Sequence, residues 1–156
     1  MYFIDHTFAV HPPELHGAQG GTANTLIATT GGTVWKDRDY TFGDLPGYIE
    51  GEYFFQTNVW NTPGTSMDIK IYEPCIIYIT WTENRHGGTL IDWLANDGWT
   101  EEDGETFPTS YNGLDTIWKK TFATSGLTTI DLPTLTEHLL GVVFATGNRL
   151  KIEIIS

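Results

Sequence analysis

Short apolar segments, separated by glycine and proline, are the feature of this sequence that most constrains its fold. Apolar and polar residues alternate in residues 67–72 and again in 151–154, with the period of two that a half-buried β-strand shows. Residues 75–81 are apolar on both faces, as in a central strand that is covered on each side. Such segments recur about every ten residues, a spacing typical of sandwiches and barrels. The pattern predicts an all-β fold, a jelly-roll-like antiparallel β-sandwich of about nine or ten strands.

The remaining segments fit a single domain spanning residues 1–156. Further strands are predicted at 25–30, 33–42, 48–57, 115–122, 127–132 and 139–146, and helical turns only at 90–94 and 135–140. Residues 1–24 are predicted to form an edge strand or an irregular lead-in. A domain of this length buries about 68–70% of its unfolded surface, so no cofactor is required for folding. The lone Cys75 cannot form an intrachain disulfide and is predicted to be a small buried hydrophobe.

The charge balance limits the classes of partner. The chain has 8 Lys and Arg residues against 20 Asp and Glu residues, a formal charge of −12. Such a surface repels phosphate backbones and anionic lipids, so nucleic acid and membrane-surface partners are not expected, and it suits solubility, cation binding or neutral partners. The sequence shows no signal peptide at Met1 and no apolar stretch of about 20 residues, so membrane insertion is not expected. We expect a soluble chain, either intracellular or a module of a larger secreted or cell-surface protein, or of a virion.

Aromatic residues in loops are the candidate ligand-binding residues. Of the six tryptophans, those at 35, 81 and 118 lie in strand segments and are predicted to be core, and Trp93 is predicted to plug the core from a helical turn. Sugars stack their C–H edges on aromatic faces, while neighbouring amides bind the hydroxyl groups. Two loops combine these groups, and they contain the candidate residues Trp60, Asn58, Asn61, Tyr111 and Asn112.

The densest run of carboxylates is the candidate metal site. Glu101, Glu102, Asp103 and Glu105 are the hard oxygen ligands that calcium prefers, so a structural calcium ion is one interpretation and a solvated hairpin tip is the other. The Glu-x-Asp-x-Glu spacing would also place three carboxylates on one face of a strand, an arrangement that some sandwich glycosidases use. Gly104 weakens a strand there and the chain is short for a cleft with several sugar subsites. No nucleophile elbow or phosphate loop is present, and we predict that the chain is not an enzyme.

Several motifs stand in a recognisable order. Residues 38–46 follow the pattern R-x-Y-x-F-x-x-L-P, Trp93-Leu94 and Trp99 give W-L…W, and residues 118–122 give W-x-K-x-F. This order resembles a jelly-roll module that recurs in large secreted polysaccharide-degrading and surface proteins. The resemblance covers about residues 33–146. It implies a non-catalytic accessory or binding module, with carbohydrate as the usual ligand and with Trp93 and Trp99 as packing residues.

Three functions remain open from the sequence. The first is a lectin-like, non-catalytic module that binds a polysaccharide or other glycan. The second is a structural, adhesive or virion-surface module, for which an oligomer is expected. The third is a small glycan-active hydrolase or lyase, with Glu101 and Glu105 as its carboxylates.

Overall fold

A computed structural model describes residues 2–4, 12–17, 23–57, 67–81, 88–102, 116–123, 126–132, 141–146 and 153–155. These ranges contain eleven short strands and one helix. In chain order, the elements are β1 (Tyr2–Ile4), β2 (Glu14–His16), β3 (Asn24–Ile27), β4 (Tyr53–Gln56), β5 (Asp68–Ile71), β6 (Cys75–Trp81), α1 (Gly88–Asn96), β7 (Thr100–Glu101), β8 (Thr116–Phe122), β9 (Thr128–Asp131), β10 (Gly141–Thr146) and β11 (Glu153–Ile155).

Nine of the strands form two antiparallel sheets. The larger sheet has six strands in the order β3-β4-β10-β6-β8-β7, and the smaller has three in the order β2-β5-β9. The remaining strands, β1 and β11, pair with each other. The 75–81 segment, predicted as a central strand, is β6 and lies between β10 and β8. Within the described ranges, no helix is long and apolar enough to span a bilayer.

The two sheets enclose one hydrophobic core, which makes the domain a β-sandwich. The central row of the small sheet is Leu15, Ile69 and Ile130, which lie opposite one another across the three strands and are all buried. They belong to the same buried cluster as Ile77 and Ile79 of the large sheet. Because side chains alternate along a strand, the residues between them face outward. The all-β sandwich predicted from the sequence is confirmed.

The outer face of the large sheet is covered by a loop. A second buried cluster joins Phe54, Tyr78 and Ile117 of the sheet to residues contributed by the chain between β3 and β4, among them Val34, Trp35, Phe42, Leu45 and Ile49. A hydrogen bond joins the two ends of this covering segment, residues 28–52, since the Ala28 amide donates to the Glu52 carbonyl over 2.8 Å. Within the segment, the Lys36 amide donates over 3.0 Å to the carbonyl of Thr57, which directly follows β4. The large sheet is therefore buried on both faces.

The predicted strand at 33–42 is wrong as a continuous strand. The chain turns back at Lys36 and Asp37, and its two arms meet at a single bridge between Thr33 and Thr41. The four consecutive charged residues 36–39 cannot be buried in a sheet, so they form the exposed turn while Trp35 and Phe42 anchor the arms. Arg38 donates to the Asp37 carbonyl over 2.7 Å and lies 3.4 Å from the Asp37 carboxylate, so these two residues form an ion pair within the turn.

Candidate functional site

The predicted loop platforms lie outside the described residues. They comprise Asn58, Trp60, Asn61, Tyr111 and Asn112, and Asp103 and Glu105 of the acidic run fall outside as well. Their roles stay predictions.

The tryptophans that the structure describes divide into buried and partly exposed rings. Trp35, Trp99 and Trp118 are 1%, 5% and 9% exposed, so the prediction that Trp35 and Trp118 are core residues is confirmed. The side chain of Trp81 is not among those described. Trp93 packs against the core cluster but is only partly buried. Phe122 packs against the same cluster and is also only partly buried.

The helix that carries Trp93 ends in a well-defined cap. The Asp97 amide donates to the Trp93 carbonyl over 2.9 Å, and the Trp99 amide donates to the Leu94 carbonyl over 3.2 Å. Between them Gly98 has a φ of 83°. This arrangement is a Schellman motif, in which a left-handed residue, most often glycine, ends the helix and an apolar contact follows. Here the contact joins Trp93 and Trp99, whose ring centroids are 5.7 Å apart.

A row of three aromatic rings and one ion pair forms what we call the Trp93 patch, made of Trp93, Asp97, Trp99, Lys120 and Phe122. The centroids of Trp99 and Phe122 are 6.0 Å apart, with the rings at 63°. The Lys120 ammonium lies 5.5 Å from the Phe122 centroid and donates to the Asp97 carbonyl over 2.6 Å. Phe122 belongs to β8 of the large sheet, and Trp99 contacts both other rings, so Trp99 links Trp93 to this sheet.

Polar side chains lie near the aromatic rings of the patch. The Asp97 carboxylate accepts hydrogen bonds from the Trp99 indole N–H and the Lys120 ammonium, each over 3.4 Å. Asn96 and Asp92 are exposed on the helix, and the Asn96 amide nitrogen donates to the Asp92 carbonyl over 2.7 Å. Residues three and four positions apart are neighbours on a helix, and Asn96 and Asp97 follow Trp93 at this spacing. The amide and the carboxylate are each held by hydrogen bonds.

The cap makes Gly98 a sensitive position. A non-glycine residue in the left-handed region costs roughly 1–2 kcal/mol, so we expect Gly98→Ala to lower the free energy of unfolding by about that amount in urea denaturation. Gly47 has an ordinary φ and open space around it, and Gly47→Ala is expected to change stability by less than about 0.5 kcal/mol. Equal effects of the two substitutions would contradict the cap.

The described part of the acidic run does not converge on one point. Glu101 lies opposite Trp118 in the β7–β8 pair, whereas the next residue, Glu102, continues the ladder opposite Ile117. Consecutive strand residues face opposite sides of a sheet. The Glu102 carboxylate lies 2.5 Å from the Lys119 ammonium, and its hydrogen bond raises the pKa of Lys119. The structure thus separates Glu101 from Glu102, and calcium binding by the run stays a prediction.

The outward face of the small sheet holds a polar network instead of a metal site. The Glu14 carboxylate contacts the His16 imidazole at 2.8 Å and accepts from the Tyr72 hydroxyl over 3.1 Å. Desolvation and this carboxylate raise the pKa of Tyr72.

Among the residues with described positions, no three His, Cys, Asp or Glu side chains could together hold a metal ion. Burial also raises the pKa of the Cys75 thiol to about 12, so its nucleophilic form is scarce at neutral pH.

Comparisons with known proteins identify the fold. No protein-family model matches the chain, and no curated protein matches it. Among solved structures, a β-glucuronidase from glycoside hydrolase family 2 is similar with a TM-score of 0.54 and 10% identity, covering 92% of this chain and 14% of the enzyme. A GH138 enzyme targeting pectin rhamnogalacturonan II is similar with a TM-score of 0.56 and 15% identity, covering 95% of this chain and 18% of that enzyme. At these identities the likeness shows the fold, and the chain spans less than a fifth of each enzyme.

Proposed function

We propose that this domain is a non-catalytic carbohydrate-binding module. The observation that carries the proposal is the fold likeness, because almost the whole chain matches under a fifth of two large glycoside hydrolases. A segment of that size is one domain of a multidomain enzyme. The domain would then hold a glycan near the catalytic machinery of a larger protein, or attach such a protein to a surface that carries glycans.

The composition and the candidate residues support this role. A net charge of −12 favours an uncharged glycan over a polyanion. Ligand sites combine aromatic surface with a few polar groups that fix orientation, and the loops with Trp60 and Tyr111 each join a ring to an amide.

The test is affinity electrophoresis of the chain in gels that contain one polysaccharide each. We expect retardation by at least one uncharged polysaccharide from a panel of xylan, galactomannan, laminarin and starch, and Trp60→Ala is expected to weaken it about tenfold, the loss of a binding hot spot. The control is Leu127→Ala, which truncates a side chain that is 63% exposed and should bind like the wild type. A folded wild-type protein that no glycan retards would remove the proposal.

A second candidate function is a structural or adhesive role. The specific observation is that β3, an edge strand of the large sheet, exposes Leu26 and Ile27 by 41% and 42%. Exposed apolar residues on a sheet edge favour pairing with another chain. A stable oligomer in light scattering, combined with no retardation by any glycan, would favour this role over carbohydrate binding.

A further inference from the structure

From the sequence, Trp93 is expected to be a packing residue. In the structure, aromatic, carboxylate and amide groups lie near it, and these are the groups that bind sugars. Trp93 stands at one end of its row, and the buried Trp99 lies between it and Phe122, which is also partly buried. A fully buried plug would leave no ring surface in reach of solvent, whereas Trp93 is only partly buried. A large ring left partly exposed gains burial energy when an apolar surface covers it.

The polar groups beside the ring are held in place before any ligand binds. The Asp97 carboxylate is held by Trp99 and Lys120, and its backbone is fixed by the helix cap. The Asn96 amide is held by its hydrogen bond to Asp92. Preorganised groups lose little conformational entropy on binding, which raises affinity.

The charges around the ring select the class of sugar. Asp92 and Asp97 are both exposed, and the nearby cation, Lys120, is already bound to Asp97. A uronate placed on the ring would meet the nearby Asp97 carboxylate and an excess of negative charge over the whole chain. An uncharged pyranose meets no such repulsion, and its hydroxyl groups can donate to the carboxylate.

We propose that the exposed side of Trp93 is a stacking platform for one pyranose of an uncharged glycan, with Asn96 and Asp97 as its hydrogen-bonding rim. This inference rests on the proposed function and adds a location to it. It places a binding residue on the helix at one side of the sandwich, apart from the Trp60 and Tyr111 loops in the sequence.

The experiment measures the affinity of the wild type, Trp93→Ala, Trp93→Phe, Asn96→Ala and Trp60→Ala for the polysaccharides of the same panel, with polygalacturonate added as the acidic probe. Trp93→Ala is expected to weaken binding at least about tenfold, as for a central aromatic contact. Trp93→Phe, which keeps a stacking face, is expected to stay within about threefold of the wild type. Asn96→Ala removes only an exposed rim group and should weaken binding roughly threefold to tenfold.

The outcomes separate the two proposals. If the wild type binds, and Trp93→Ala and Asn96→Ala bind equally well, the platform is refuted while carbohydrate binding stands. If Trp93→Ala fails to fold, Asn96→Ala decides in the same way, because it leaves the ring packing in place. Tighter binding of polygalacturonate than of every uncharged polysaccharide would overturn the assigned ligand class. A folded wild type that binds nothing refutes carbohydrate binding itself.

Discussion

Replacing Trp35 with alanine is expected to lower the free energy of unfolding by about 3–5 kcal/mol, the usual loss for a buried tryptophan. The ring is 1% exposed and meets Tyr40 edge to face at 6.1 Å. It belongs to the cluster that joins the covering segment to the outer face of the large sheet. Its removal leaves a cavity between two layers that cannot easily close, because hydrogen bonds join the two ends of the segment and hold Lys36, the next residue, to Thr57.

The measurement is chemical denaturation, with the same experiment on Leu127→Ala as its control. Leu127 is 63% exposed, so its truncation should change stability by less than about 0.5 kcal/mol. Since the free energy of unfolding of a native protein is only about 5–15 kcal/mol in total, the Trp35 variant should also unfold at a clearly lower temperature. A Trp35→Ala protein as stable as the wild type would show that the covering segment is not part of the packed structure.

The second large effect is expected from Ile69→Ala in β5, which should lower the free energy of unfolding by about 2–5 kcal/mol. Ile69 is fully buried and lies between Leu15 and Ile130 in the central strand of the small sheet. Its neighbour Lys70 is only partly buried and lies opposite Glu14 and Thr129 on the outward face. Lys70→Ala is therefore the matched control. It should lower the free energy of unfolding by less than about 1 kcal/mol, the contribution of a cross-strand pair.

Thermal and urea denaturation of both β5 variants would measure this difference. The expected difference between the two variants depends on the alternation of faces along β5, since a shift of one residue would exchange the buried and exposed residues. A larger loss for Lys70→Ala than for Ile69→Ala would contradict the register of the small sheet and the sandwich built on it.

The sequence predicted the strands that have a clear period and missed the segments whose conformation is set by tertiary packing. β5, β6 and β8 lie where alternation or continuous apolar runs placed them. The 33–42 segment has the same apolar and aromatic content, yet it packs as a loop with Trp35 and Phe42 inward. Alternation alone cannot distinguish these cases. The charged residues 36–39 are the local signal for the turn.

The helix was located by sequence, but its role was not. A helical turn was expected at 90–94, and α1 extends over Gly88–Asn96. Asn96-Asp97-Gly98 is a recognisable helix end, and it would have placed Trp99 back against Trp93. The contact of Lys120 with Asp97, 23 residues apart, depends on the register of β8 and could not be read from spacing. The exposed side of Trp93 therefore emerges only from the packed structure.

The most direct test of the account is an NMR titration of the six indole N–H signals with an uncharged oligosaccharide that the gels have selected, the signals being assigned from Trp→Phe variants. We predict saturable shifts of the Trp93 signal and of the Trp99 signal, whose indole N–H donates to Asp97, while the buried Trp35 and Trp118 signals stay in place. A folded protein in which no indole signal moves with any glycan of the panel would contradict carbohydrate binding through tryptophan.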